Sequence, residues 1–153
     1  MEKNIDITIK KLIDEYEWAG INAITFADGL MTLLEINFYS KGEYFIAPIV
    51  DSTINSYLKY NSDELSSFDV FSKIIFNNYE ILVGDGSGEG NGIIYVINTK
   101  NNSLSWFAFF ENSEPFKSVT VDENGTIQAL SAVNITWKLP IENPLNIELT
   151  FPD

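Results

Sequence analysis

Residues 93–111 read IIYVINTKNNSLSWFAFFE, and this stretch decides the predicted fold. Ile93–Asn98 and Leu104–Glu111 are rich in β-branched and aromatic residues, and the turn-forming Lys100-Asn101-Asn102 separates them. Two such runs around a short polar turn are typical of a β-hairpin. We therefore expect two antiparallel strands here, with the second deep inside the protein.

The second of these strands is apolar on both faces. The predicted faces are Leu104, Trp106, Ala108 and Phe110 on one side, with Phe107 and Phe109 on the other. A strand without a polar face is typical of the centre of a sheet that is covered on both sides. The alternative is that Phe107 and Phe109 form an exposed binding surface.

Similar strand and turn patterns continue in both directions along the chain. Period-two alternation and turn residues predict further strands at Thr32–Tyr39, Glu43–Val50, Tyr79–Val83, Ser118–Asp122, Thr126–Ser131, Val133–Leu139 and Leu145–Phe151. The turn residues are Ser40-Lys41-Gly42 in the first hairpin and Asn124-Gly125 in the one that starts at Ser118. Asn-Gly is the strongest short hairpin signal.

Helical patterns precede most of these strands. An apolar stripe at Ile9, Leu12, Ile13 and Tyr16 predicts a helix that stops near Gly20. A second helix is predicted from Asp51 or Ser52 to Tyr60. Ser62 or Ser66 is expected to cap a third, whose apolar stripe would be Phe68, Phe71, Ile74 and Ile75. The order predicts a single α+β domain over residues 1–153, with N-terminal helices packed on a mainly antiparallel β-sheet.

Charge and missing residue types narrow the possible functions. The chain lacks Cys, His and Arg, so catalytic triads, thiolate chemistry and the usual zinc ligands are excluded. The net charge is −13; residues 60–153 hold thirteen acids and four lysines, a net −9. Such a surface repels nucleic acid and anionic membranes and attracts basic partners. The charged N-terminus resembles no signal peptide, so we expect a soluble, cytoplasmic protein. The missing residue types favour a protein that is not an enzyme.

The most unusual segment is the loop Gly84–Gly92, with five glycines in nine residues. It is interpreted first as a mobile or tightly turned connection between strands, with glycines at positive φ. A phosphate cradle lacks the lysine and the following helix that it needs. Calcium binding by Asp85, Ser87, Glu89 and Asn91 lacks the acid at the twelfth position, where Val96 stands. A catalytic carboxylate pair, Asp85 with Glu89 or Glu111, depends on the fold.

Acidic residues near this loop and near other strand ends are candidates for binding a partner. We predict that they form one acidic edge, composed of Asp85, Glu89, Glu111, Glu114, Asp122 and Glu123. Each acid taken singly is more typical of an ordinary solvated face. Together they would attract a basic protein.

Four segments carry a resemblance to a known group of proteins: Ile81–Gly92, Ser105–Phe116, Ile127–Ser131 and Ile135–Pro140. Their glycine-rich loop, Trp-containing apolar strand and Asn-x-x-Pro-Phe turn resemble bacterial immunity proteins that neutralise polymorphic or contact-dependent toxins. A looser similarity is to the SMI1/KNR4-like superfamily. The resemblance covers less than half the chain. It implies a cytoplasmic antidote that binds a cognate toxin domain tightly. The acidic charge of the chain agrees with a basic toxin as the partner.

The sequence thus predicts an acidic immunity or inhibitor protein that binds another protein and needs no cofactor or metal. It predicts no nucleic-acid partner and no membrane association. The alternative is a small-molecule or calcium-binding module that uses the loop 84–92, and a hydrolase with only carboxylates in its active site is the third hypothesis.

Overall fold

The computed structural model describes residues 2–152, with the exception of the side chains of residues 2–4, 41 and 62. Two α-helices lie in this part of the chain, α1 (Glu2–Asp14) and α2 (Ile54–Asn61). The strands are β1 (Glu17–Ala19), β2 (Ala23–Phe26), β3 (Leu30–Phe38), β4 (Tyr44–Thr53), β5 (Leu65–Ser67), β6 (Asp69–Phe76), β7 (Tyr79–Asp85), β8 (Gly92–Asn98), β9 (Ser103–Phe110), β10 (Phe116–Val121), β11 (Thr126–Ser131), β12 (Thr136–Pro140) and β13 (Glu148–Thr150).

Strands form three antiparallel sheets. The largest has seven strands in the order β4-β3-β2-β9-β8-β7-β6, so β9 is its middle strand. A second sheet has the order β10-β11-β12-β13, and β1 pairs with β5 in a two-stranded ribbon. Phe109 of β9 lies opposite both Ala23 and Ile93, which places it at the centre of the large sheet.

The four-stranded sheet covers one face of the seven-stranded sheet. Trp106 and Phe110 from β9 pack there with Phe116 and Trp137 from the smaller sheet, and all four are almost fully buried. The Trp106 indole N–H also donates a hydrogen bond of 2.8 Å to the carbonyl of Ile141, which lies just after β12. Aromatic packing and this buried hydrogen bond join the two sheets.

The opposite face of the large sheet is covered by the helices and the β1–β5 ribbon. Its centre is Phe107, which stacks on Trp18 at 4.1 Å and on Tyr95 at 4.8 Å between ring centroids. Phe68 meets the same ring edge-on at 5.2 Å. Strand β9 therefore contributes to two separate hydrophobic cores, one on each side of the sheet.

This arrangement confirms the prediction of a central strand, because Phe107 is 0% exposed and Phe109 1% exposed. The alternative, a binding surface at these two residues, is wrong. One detail also differs from the prediction. The register shifts between Val96 and Ile97, whose partners are Trp106 and Leu104. This bulge turns Leu104 into the core that contains Phe107, away from Trp106.

The predicted α+β fold class was wrong, because strands hold more than half of the chain and the two helices only a small part of it. The third predicted helix is strand β6, where partly buried and exposed residues alternate strictly. The helix was predicted from the apolar residues Phe68, Phe71, Ile74 and Ile75. Their spacing fits a helix, but it also fits a strand that has one more exposed face. In addition, a second sheet covers one face of the main sheet, and helices share the other face with a ribbon.

The other predicted elements agree more closely with the structure. The first two helices form, although α1 ends at Asp14, well before Gly20. The three predicted hairpins are confirmed as β3–β4, β8–β9 and β10–β11. The last two strands are shorter than predicted. Within the described residues, neither helix is long and apolar enough to cross a membrane.

Candidate partner-binding surface

The glycine-rich segment forms a compact loop between β7 and β8. Its ends are held together by the β-pair of Asp85 with Gly92. Inside the loop, Asp85 Oδ1 accepts a 3.0 Å hydrogen bond from the Ser87 amide, and Asn91 Nδ2 donates a 2.8 Å bond to the Ser87 carbonyl. Gly88 and Gly90 take φ of +73° and +77°, which glycine adopts without strain. The loop is therefore a tightly turned strand connection, and two of its five glycines have the predicted positive φ.

A second loop, residues 111–115, leaves β9 and leads to the smaller sheet, and it contacts the glycine loop. The Glu114 amide donates a 2.7 Å hydrogen bond to the Gly90 carbonyl. The Asn112 amide donates a 3.2 Å bond to Asn91 Oδ1. A Cβ at Gly92 would lie 2.6 Å from the Glu114 carbonyl oxygen, so only glycine allows this approach. The two loops therefore support one another.

These loops bring four of the six predicted acids to one end of the seven-stranded sheet. Asp85, Glu89, Glu111 and Glu114 lie on the two loops or next to them, and we call this group the acidic end. Glu89 is exposed, and the other three are partly exposed. The Glu114 carboxylate lies above the glycine loop, since a Cβ at Gly90 would be 3.0 Å from Glu114 Oε2.

Two further acids lie close to the acidic end and were not predicted. Asp69 of β6 pairs directly with Asp85 across the hairpin. The second is Glu64, which lies near Tyr57, as Glu111 does. Burial raises the pKa of the Tyr57 phenol, and the negative charges of Glu64 and Glu111 raise it further. The sequence signal for Asp69 was the β6–β7 register, which the helical interpretation of residues 68–75 concealed. Glu64 reaches this end only through the tertiary fold.

None of these carboxylates forms an ion pair within the described part of the chain. The two ion pairs found there, Lys10 with Asp14 and Lys73 with Glu80, lie elsewhere. Within the described residues, the negative charge at the acidic end is therefore not neutralised by an ion pair. Such a surface has a strong field toward solvent.

Asp122 and Glu123 do not belong to this group. They lie in the β10–β11 turn, where Gly125 packs near Phe76, just before the β6–β7 turn. That turn is at the opposite end of β7 from Asp85, and a seven-residue strand is about 20 Å long. Asp122 Oδ1 accepts hydrogen bonds from the amides of Asn124 and Thr126, so it shapes its own turn. The single acidic edge predicted from the sequence is thus divided between two ends.

The geometry does not favour calcium at the glycine loop. Asn91 uses both ends of its carboxamide, and one Asp85 oxygen accepts the Ser87 amide. Within the residues that the structure describes, no three acidic side chains are grouped closely enough to hold a metal ion. Two of the four side chains proposed as calcium ligands, Asp85 and Asn91, are thus engaged in holding the loop together.

The chain matches no protein-family model, and neither a curated protein nor a solved structure is significantly similar to it.

Proposed function

We propose that this protein is an acidic inhibitor that binds a basic protein through the acidic end, and that its partner is a bacterial toxin domain. The observation that carries the proposal is the group of four carboxylates, Asp85, Glu89, Glu111 and Glu114, on two loops joined by hydrogen bonds. In the described residues none of the four is neutralised by an ion pair. The toxin class of the partner rests on the resemblance to immunity proteins.

Electrostatics gives this arrangement a role in association. Unpaired like charges on one surface destabilise the isolated protein slightly, and a partner with lysines and arginines removes that repulsion. Complementary fields also speed the encounter of two proteins by orders of magnitude at low salt. An antidote must meet its toxin before the toxin meets its target, so a fast encounter suits this function. The inhibitor would act in the cytoplasm.

The loops that hold these charges are well suited to binding. The Glu114–Gly90 and Asn112–Asn91 hydrogen bonds hold the two loops in one arrangement. A surface that is ordered before it binds loses less conformational entropy in the complex. In addition, the carboxylates come from both sides of the contact between the loops, so they present charge over a surface rather than at one point.

A binding role also fits the residues that the chain contains. With no His, Cys or Arg, its chemistry depends on carboxylates, lysines, tyrosines and hydroxyls. We therefore propose an inhibitor without catalytic activity. The calcium-binding alternative has less support, because the loop's own hydrogen bonds engage Asp85 and Asn91, two of the four side chains that would bind the ion.

Capture and rescue together test this proposal. The tagged protein is used to capture partners from a lysate of its native organism at low and high salt. We expect a basic protein that is retained at low salt and weakened at high salt. Expression of that protein in a host should stop growth, and co-expression of the inhibitor should restore it.

A charge variant then tests the surface. Rescue should be abolished or strongly reduced in a variant that combines Asp85→Asn, Glu89→Gln, Glu111→Gln and Glu114→Gln. The control variant removes the same number of charges at sites far from the acidic end, and it should still rescue growth. It combines Asp28→Asn, Glu123→Gln, Glu142→Gln and Glu148→Gln. A captured partner that is harmless, or equal rescue by both variants, would contradict the proposal.

A further inference from the structure

A groove of about 380 Å³ lies between α1 and the large sheet, toward the end of β7 that is remote from Asp85. Strand register builds its floor, because Leu82 lies opposite Tyr95 and Glu80 lies opposite Ile97 on neighbouring strands. Ile9 and Ile13 of α1 line its side. The groove has the volume of a small-molecule site. Apolar side chains of the sheet and of α1 line it together with polar residues, among them Asn101, Asn102 and Ser103.

Tyr95 is the polar group deepest in this groove. The residue is 3% exposed, and its ring is held by Phe107 and Phe68, with centroids at 4.8 and 5.6 Å. Its hydroxyl has no hydrogen-bond partner among the described protein atoms, although the residue lines the groove. Burial, with smaller effects from Tyr16 and Glu80, raises the pKa of this phenol. At neutral pH it is therefore an uncharged group that can donate and accept hydrogen bonds.

The charges around the groove favour a cation. Asp6 and Asp14 lie on its helix side and Glu80 on its sheet side, whereas Lys10 is the one basic residue among the described residues that line it. Lys10 is 3.8 Å from Asp14, and Glu80 is 3.9 Å from Lys73, both near the limit for an ion pair. The Glu80 side chain is only 29% exposed. A partly buried carboxylate with so distant a partner can accept hydrogen bonds from a bound ammonium group.

We propose that this groove binds a small molecule with a flat apolar body and a protonated amine. The apolar body would lie on Leu82 and Ile97, beside Ile9 and Ile13. The ammonium group would donate hydrogen bonds to the Glu80 carboxylate and to the Tyr95 hydroxyl oxygen. This site is independent of the acidic end, and the proposed toxin-binding function neither requires nor predicts it.

Three related probes test the charge preference by NMR titration of the full-length protein. Tryptamine, tryptophol and indole-3-propionate share an indole and differ in the charge of a short side chain. We expect tryptamine to bind most tightly and indole-3-propionate least, with amide shifts at Leu82, Tyr95, Ile97 and Leu104. Absence of shifts at these amides with millimolar tryptamine, or equal affinity for all three probes, would overturn the proposal.

Two substitutions locate the site. Glu80→Gln keeps the shape of the side chain, and it should weaken tryptamine binding by about threefold to tenfold without changing tryptophol binding. Tyr95→Phe should weaken tryptamine binding by a similar factor. Glu148→Gln, on the opposite layer, is the matched control and should bind like the unaltered protein. Unchanged tryptamine affinity in a folded Glu80→Gln protein would contradict the assignment.

Discussion

Single glycines show how closely the strands and loops approach one another near the acidic end. Gly84 pairs with Val70 next to the bulge in β6, and a Cβ there would collide with the backbone carbonyl of Asp69. Gly88 differs, because a Cβ there would meet only the Asn91 side chain, at 3.3 Å from Nδ2, and its φ of +73° disfavours any side chain. A close contact with the rigid backbone and a left-handed φ are two separate reasons why a position requires glycine. They predict different losses of stability when the glycine is replaced.

Gly84→Ala should therefore destabilise the protein by about 3 kcal/mol, since a backbone contact cannot relax as a side chain can. Gly88→Ala should cost about 1 kcal/mol, the strain of a left-handed alanine. Urea unfolding followed by tryptophan fluorescence measures both free energies. If Gly88→Ala destabilised as much as Gly84→Ala, the close approach of β6 to Gly84 would not be the cause.

The buried phenol of Tyr95 predicts that the stability of the protein declines at alkaline pH. Its pKa is raised above the ordinary 10.0, mainly by burial. Above pH 10 the unfolded chain loses this proton while the folded chain keeps it, so unfolding becomes more favourable as pH rises. The stability that the protonated phenol contributes is complete below pH 10 and declines above it, by at most about 1.4 kcal/mol per pH unit.

Tyr95→Phe should remove this decline. We expect the stability difference between the unaltered protein and the variant to be constant up to pH 9 and to shift in favour of the variant above pH 10. Chemical unfolding at closely spaced pH values measures the difference. Tyr60→Phe is the matched control at a side chain that is 73% exposed. A difference that does not change with pH would show that the phenol is not buried as described.

Among the elements, β9 was predictable and β6 was not. An apolar run without a polar face, such as Leu104–Phe110, has few alternatives to a covered central strand. The spacing of Phe68, Phe71, Ile74 and Ile75 is compatible with an apolar stripe on a helix. It is equally compatible with a strand in which Ile74 lies on the buried face and Ile75 on the exposed face. Pairing with β7 decides between the two, and pairing is a tertiary contact that the local pattern does not contain.

Two neighbouring isoleucines test this strand directly. Ile74 packs against the core between the sheets, whereas Ile75 is 68% exposed. Ile74→Ala should cost about 1–2 kcal/mol, because it removes partly buried apolar volume. Ile75→Ala should stay within about 0.5 kcal/mol. Equal and large losses at both positions would favour the helical stripe, and thermal or urea unfolding distinguishes the outcomes.

The candidate site was predicted only in part for the same reason. Asp85, Glu89, Glu111 and Glu114 are near one another in two segments that a single β-hairpin joins, so their proximity followed from the pattern. Asp122 and Glu123 follow the next strand, β10, whose far end carries them away from the acidic end. Only the direction of β10 in the second sheet shows that Asp122 and Glu123 lie far from the other four acids. The sequence predicted strands in this region but not where they lie relative to the large sheet.

For the whole molecule, the two sheets and the helical layer leave different surfaces for different roles. The acidic end lies where loops pass from the large sheet to the smaller one, and the groove lies beneath α1 on the other face. The net charge of −13 is unevenly distributed, because four carboxylates that form no ion pair with any described residue lie together at the acidic end. The central claim is that this concentration, rather than total charge, drives association with a basic partner.

The most direct test is the association rate constant with the captured basic partner, measured by stopped flow at several salt concentrations. The acidic-end variant and the control variant each lose four charges, from −13 to −9. We predict that the acidic-end variant associates at least about tenfold more slowly at low salt, with a weaker salt dependence. The control variant should stay within about twofold of the unaltered protein. Equal rates for the two variants would contradict the claim, because total charge would then be the cause.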